Sequence, residues 1–317
     1  MRNAFAQQIT ALAEQDERIV LLSGDIGNRL FDDYKARASG RFLNCGVAEA
    51  NMIGMAAGMA SCGLRPVTYT ITPFTTTRCL EQIRVDLCYQ HLPVVVVGVG
   101  AGLSYASLGA THHSCEDIAL LRSLPNMTVV CPGDAWEVRA ALRAAIEHDG
   151  PVYLRLGKKG EALVHDRLPE FELGKGIVIR EGHDACLVST GNMLPAAIET
   201  AEKLQTDGVS TRVISMHTVK PLDERLVADA FARFRVVATI EEHSLIGGLS
   251  GAVSEWLADR AGQRARLLRF GTSDCFLHES GEQEYARERF GLTAHHMASE
   301  IQAALGAGRK LEHHWAA

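Results

Sequence analysis

Residues 41–60 read Arg-Phe-Leu-Asn-Cys-Gly-Val-Ala-Glu-Ala-Asn-Met-Ile-Gly-Met-Ala-Ala-Gly-Met-Ala. A short apolar run, Phe42-Leu43, passes through Gly46 into a stretch of Ala, Gly and Met, the pattern of a strand that feeds a helix. Small side chains let another backbone approach such a helix closely. A helix apolar on every side is expected to be buried. Glu49 is the single charged residue between Arg41 and Arg65. Burying a carboxylate is costly unless it is protonated or hydrogen-bonded. Glu49 is therefore a candidate for proton chemistry or, less specifically, a first-turn acid that complements the helix dipole.

Outward from this stretch, short apolar runs alternate with helical patterns. Residues 19–24, 42–45, 67–70, 94–99, 128–131 and 152–156 read as strands. Val94-Val95-Val96-Val97 is β-branched throughout, as expected of a central parallel strand covered on both faces. One helix is predicted to open at Ser114, with Asp117 at the capping-box offset, and another at Asp134, with Glu137 at the same offset. A polar stretch at 157–170 reads as a linker. A second α/β unit follows, with strands at 176–179, 185–189, 210–215, 236–240 and 266–270. Its helices start near Pro195, Asp223 and Gly248, with a last one over 294–305. The prediction is two doubly wound α/β domains, residues 1–160 and 175–317.

The 317 residues carry a formal net charge of −6, which argues against a nucleic-acid or anionic-membrane partner. No apolar run reaches membrane-spanning length, and the N-terminal residues lack the apolar core of a signal peptide. None of the eight cysteines forms a Cys-x-x-Cys pair, and most lie in apolar segments, so they read as reduced thiols of a cytoplasmic protein. The histidine pairs 112–113, 295–296 and 313–314 lack zinc-type spacing, and no metal site is assigned. Gly98-x-Gly100 is not a dinucleotide fingerprint, because position 103 is Leu and a long Gly/Ser/Ala loop follows. The tail from Lys310 onward has no assigned role.

Residues 41–52, 74–84 (Phe-Thr-Thr-Thr-Arg-Cys-Leu-Glu-Gln-Ile-Arg), 109–117 (Gly-Ala-Thr-His-His-Ser-Cys-Glu-Asp), Pro221 and 241–249 (Glu-Glu-His-Ser-Leu-Ile-Gly-Gly-Leu) resemble transketolase motifs in the transketolase order. The chain resembles the C-terminal half of the enzyme, as found where two polypeptides make it. The resemblance implies a pyrimidine-binding domain followed by a transketolase C-terminal-like domain, in an enzyme using thiamin diphosphate. Such enzymes transfer a two-carbon ketol (or acyl) unit between carbonyl substrates through a carbanion at the cofactor's C2. Glu49 then matches the glutamate that hydrogen-bonds the aminopyrimidine N1′ and helps the 4′-imino nitrogen take the C2 proton.

By the same resemblance, Phe74 stacks on the aminopyrimidine or is a plain core residue. Tyr69 is a candidate for the pocket wall, and Arg78 is grouped with the cofactor site. Ile71 stands where many relatives have another aromatic. His112 matches the histidine that faces substrate near C2, and His113 orients the loop or is purely structural. Asp25 is either a cofactor or partner contact or a turn aspartate. Arg155 resembles an arginine that binds a sugar-phosphate group, or it forms an interdomain ion pair. Leu108 replaces an aspartate that contacts a substrate hydroxyl, and Gly100 replaces a phosphate-contacting histidine. Both changes imply a non-standard sugar-like substrate.

The Gly-Asp-Gly segment that binds Mg²⁺ and diphosphate in this family is missing: Gly24-Asp25-Ile26 and Gly133-Asp134-Ala135 lack the second glycine. The resemblance thus implies a partner chain that holds most of the cofactor and its Mg²⁺, in an α2β2 heterotetramer. Two alternatives are the β subunit of a 2-oxoacid dehydrogenase-type thiamin enzyme and a non-catalytic subunit retaining the fold. The Thr111-His112 segment and the Asp117 helix favour transketolase over the first. The intact Glu49 disfavours the second.

Overall fold

Strand β1 (Ile19–Ser23), β2 (Phe42–Asn44), β3 (Arg65–Ile71), β4 (Val95–Val99), β5 (Thr128–Val130) and β6 (Val152–Leu156) follow the predicted apolar runs closely. The structure, a computed structural model, describes residues 1–158 and 160–312; the expectations for residues 313–317, including the pair His313-His314, lie outside the described residues. The later strands are β7 (Ile177–Arg180), β8 (Ala185–Ser189), β9 (Thr211–Ser215), β10 (Thr218–Lys220), β11 (Val236–Ser244) and β12 (Arg266–Thr272). Among the described residues they form a seven-stranded sheet, β10-β5-β6-β4-β3-β1-β2, and a five-stranded sheet, β12-β11-β8-β9-β7.

The first sheet is parallel except at β10, and the second is parallel except at β7. β4 is buried at every position and lies between β3 and β6. One face of the first sheet packs on the helix Glu49–Ser61 through Met52, Ile53 and Ala56. The other face packs on the helices Arg2–Gln15 and Ala135–Glu147 through Phe5, Ile9, Val138 and Leu142. Each of these side chains apart from Ala56 contributes about 1.5–3 kcal/mol of burial. Both domains are α/β, and β1, β2, β3, β4 and β6 release their loops at one edge of the first sheet. Open α/β sheets bind ligands at that edge.

Several local expectations change. Asp134 caps its helix as expected, accepting from the Trp136 and Glu137 amides at 2.9 Å. Its second oxygen takes the Val164 and His165 amides, so the linker is tied down. The helix expected at Ser114 instead spans Asp117–Arg122, with no side-chain cap, because Asp117 is turned inward to other partners. The helix Glu49–Ser61 is buried on one side only; Asn51, Met55 and Gly58 are exposed. At Gly54 and Gly58 an added Cβ meets no atom within 4 Å, so the close approach their size allows is not taken up within this chain. The second domain also lends β10 to the first sheet, pairing Thr218 with Val130 and Lys220 with Val129.

Candidate functional site

Glu49 is the first residue of its helix, and only 3 % of it is exposed. Gly24, at the end of β1, makes room beside it: an added Cβ would lie 2.9 Å from Thr70 Oγ1 and 3.4 Å from Glu49 Cγ. The charge that β2 and the helix lack comes from 29 residues on. Arg78 Nη1 donates to Glu49 Oε2 at 2.8 Å, and the Arg78 guanidinium lies 4.3 Å from the Phe74 ring centroid. Phe74 sits in a helical turn, Thr72–Thr75, directly after β3. A cavity of about 590 Å³ opens here, lined by Phe74, Arg78, Thr111, His113, Glu116 and, from the second domain, Phe276.

The loop after β4 brings His112 against Phe74, ring centroids 5.2 Å apart in an edge-on arrangement. His112 Nδ1 bonds to Thr111 Oγ1 at 2.9 Å. Burial, followed by the neighbouring His113, holds its pKa below the ordinary histidine value, which favours the neutral ring. His113 Nε2 meets the Ala106 carbonyl at 3.0 Å and so braces the loop. Leu108 stands on the same loop, 52 % exposed. Gly100 adopts φ +75°, and a Cβ there would fall 1.9 Å from the Tyr105 ring. Tyr105 therefore fills the space a side chain at position 100 would take. Its ring lies 6.2 Å from His112, with Lys158 Nζ 5.1 Å from its centroid. Tyr105 and Lys158 carried no motif that would have singled them out.

Two site expectations are corrected. Tyr69 is fully buried on the opposite face of β3, stacked on Phe5 at 5.3 Å and edge-on to Phe31 at 4.9 Å. Successive strand residues face opposite sides, so Tyr69 points away while Thr70 faces Glu49. Arg155 is 3 % exposed and is not free to meet an anion. Its Nε and Nη2 donate to Asp117 at 2.7 and 3.2 Å, and Nη2 also reaches the carbonyls of Ser114 and Glu242. Burial pushes the Asp117 carboxyl up, and the Arg155 charge with its hydrogen bonds more than reverses this, leaving it below the usual range. Asp25 is exposed, at φ 57°, and accepts from Asn44 Nδ2 at 2.9 Å.

A buried acid of the second domain holds the base of the His112 loop. The Glu242 carboxylate accepts from the Leu103 amide at 2.7 Å, from Asn192 Nδ2 at 3.1 Å, and from Gln283. Arg287 completes its partners. A Cβ on Gly102 would sit 2.6 Å from Glu242 Oε1, so the loop reaches this carboxylate only as glycine. Glu242 neighbours His243, which takes the Ala119 amide at 3.3 Å. The loop is thus fixed from its own domain through Arg155 and from the other through Glu242.

Comparison with known proteins identifies the family. The model for the transketolase pyrimidine binding domain matches residues 1–160, and that for the transketolase C-terminal domain matches residues 174–297. The chain is 38 % identical over 295 residues to the 6-deoxy-6-sulfo-D-fructose transketolase subunit SqwH of Clostridium sp. (strain MSTE9), covering 93 % of this chain and 91 % of that protein. It is 35 % identical over 304 residues to a putative transketolase C-terminal section of Methanocaldococcus jannaschii, covering 95 % of each. A solved structure described as a split gene transketolase, inactive beta4 tetramer, superposes with a TM-score of 0.87 at 36 % identity, covering 96 % of this chain and 97 % of that one. With Glu49, Phe74 and His112 gathered at the strand ends and both family domains present in sequence, this chain belongs to the transketolase family.

Proposed function

We propose that this chain is the pyrimidine-binding half of a two-chain, thiamin diphosphate-dependent transketolase-like enzyme. It transfers a two-carbon ketol or acyl unit between sugar-like carbonyl substrates. A partner chain holds the diphosphate and Mg²⁺, in an α2β2 assembly. The observation that carries this reading is the buried Glu49 carboxylate bonded to Arg78, which with Phe74 lines a cavity beyond the end of β3. When bound, thiamin diphosphate supplies the nucleophilic carbon. The protein's part would be positional: Phe74 would offer a flat face, Glu49 a carboxylate oxygen to N1′, and the loop would exclude water. His112 is held neutral and engaged at Nδ1, so Nε2 is the nitrogen that meets a substrate oxygen.

The substrate reading follows from the loop. Leu108 cannot hydrogen-bond a hydroxyl, and Tyr105 fills the place of a position-100 side chain. Arg155 being locked, Lys158 beside Tyr105 supplies this chain's cation. These features support a less hydroxylated or differently anchored sugar, and the sulfonated sugar in the name of one relative sets the chemistry to test first.

The experiment is reconstitution with candidate partner chains. Glu49→Gln should leave assembly intact and slow exchange of the cofactor C2 proton by about 100-fold or more. Exchange near the parent rate rejects the proton role. Saturable, Mg²⁺-dependent cofactor binding by this chain alone rejects the need for a partner. On the assembled enzyme, turnover of xylulose 5-phosphate should be poor beside 6-deoxy-6-sulfo-D-fructose. The reverse order rejects the substrate reading.

A further inference from the structure

The Arg78 guanidinium makes the same two contacts that a bound aminopyrimidine needs. It lies against the Phe74 face, 4.3 Å from the centroid, and it donates an N–H to Glu49 Oε2 at 2.8 Å. It is flat, conjugated and rich in N–H groups, as the edge of a protonated aminopyrimidine is. Its side chain is 47 % exposed, whereas the Glu49 side chain is 3 % exposed, so it enters from the cavity and seals the acid from above. His112 already stands edge-on to Phe74 at 5.2 Å. The Phe74 face cannot stack on two flat groups at once, so the guanidinium and a pyrimidine exclude one another there.

We infer that Arg78 is an internal placeholder for the pyrimidine: it occupies the pocket of the ligand-free chain and must swing out before the ring can enter. This rests on the reading of Glu49 and Phe74 as the pyrimidine site. The placeholder has a physical purpose. Without it, a buried carboxylate would face an empty cavity with no charge partner, which costs free energy. Arg78 neutralises Glu49 until a ligand replaces it. Because the Arg78 side chain is half-exposed, in the turn between Thr72–Thr75 and Leu80–Gln82, it leaves by rotamer change, without moving the backbone. A placeholder also lowers apparent affinity, since the binding-competent state is only part of the population.

The test uses the full chain alone and two probes that need no diphosphate site: 4-amino-5-hydroxymethyl-2-methylpyrimidine and thiamin. Binding is read by ligand-observed NMR and by the Nε–H signal of Arg78. Arg78→Met should bind the pyrimidine about tenfold more tightly than the parent chain, a gain in the range of a lost cation–π contact plus an ion pair. Arg78→Lys keeps the charge without the planar fork and should fall between the two. Methylguanidine should compete with the pyrimidine in Arg78→Met and not in the parent, and the parent's Arg78 signal should shift as pyrimidine binds. If Arg78→Met binds equally or more weakly, while Phe74→Ala abolishes binding, Arg78 is a helper and the placeholder is refuted with the pyrimidine site intact. If neither chain binds either probe, the pyrimidine site itself is wrong and the placeholder falls with it.

Discussion

Arg155→Met and Asp117→Leu should each destabilise the protein severely, without any loss of an anion site. The two side chains are 2 % and 0 % exposed, and Arg155 spends its donors on Asp117 and two carbonyls. Tyr153 adds a hydrogen bond to Asp117 at 2.5 Å. Removing one partner strands the other charge, at a cost of about 3–5 kcal/mol. Unfolding entropy is about 2.1 cal/mol/K per residue, so for 317 residues 1 kcal/mol shifts Tm by about 1.5 °C. Each single variant should therefore melt about 5–7 °C lower by differential scanning calorimetry. The double variant should melt no lower than the worse single, because the second change removes the stranded charge. The sign of the pH dependence follows from Asp117, whose folded pKa lies below the ordinary aspartate value. Its stabilisation is present above the unfolded pKa and lost as pH falls through the lower folded pKa, so the penalty should stay level between about pH 8 and 5. A Tm drop under about 2 °C for Arg155→Met, accompanied by weaker binding of a phosphate or sulfonate, would refute the buried pair and restore the anion site.

Three further outcomes are expected. Gly100→Ala should cost more than about 2 kcal/mol, from left-handed backbone strain and the clash with Tyr105, and Tyr105→Ala in the same chain should recover part of it; equal penalties in both backgrounds would contradict the steric account. His217 stacks on Phe171 at 3.9 Å, and its burial lowers its pKa from 6.5 to about 4 against the opposing pull of Glu137. Its stabilisation is full above pH 6.5 and is lost as pH falls toward about 4, roughly 3 kcal/mol across that window; His217→Gln should flatten the Tm profile there, and an unchanged profile would exclude His217 as the source. Glu242→Gln should speed hydrogen exchange of the 101–114 amides about tenfold while β8 and β9 stay protected; unchanged exchange in the loop would show that Glu242 does not clamp it.

Features whose partners lie close in sequence were legible before the structure. The Asp134 cap is complete within three residues, so its offset to Glu137 sufficed. Strand and helix alternation placed both sheets, and the lone charge in residues 42–64 picked out Glu49. What remained hidden depends on distant partners. Asp117 has the spacing of a capping acid, but its partner Arg155 is 38 residues away. Glu242 has no local periodicity, and its contacts come from Leu103, Asn192 and Arg287. Tyr69 was open to a better reading, since period-two alternation puts it opposite Thr70 and hence away from Glu49. β10 is three residues, Thr-Val-Lys, too short for a pattern and paired only across the domain boundary.

That borrowed strand limits how the chain can be recombined with its relatives. β10 covers β5, and Lys220 Nζ anchors the join on the carbonyls of Arg122, at 3.0 Å, and Leu124. The Cys131 amide adds a bond to the His217 carbonyl at 2.6 Å. A chimera crossed over within the linker would pair a native β5 with a foreign edge, matched neither in register nor in the Lys220 anchor. A partial chain ending before Thr218 would expose β5 as an open edge ready for aggregation. A crossover after Pro221 keeps the cover strand with the first sheet but divides the second, since β8 precedes it and its partner β11 follows, so the two domains should exchange into folded protein only as one unit.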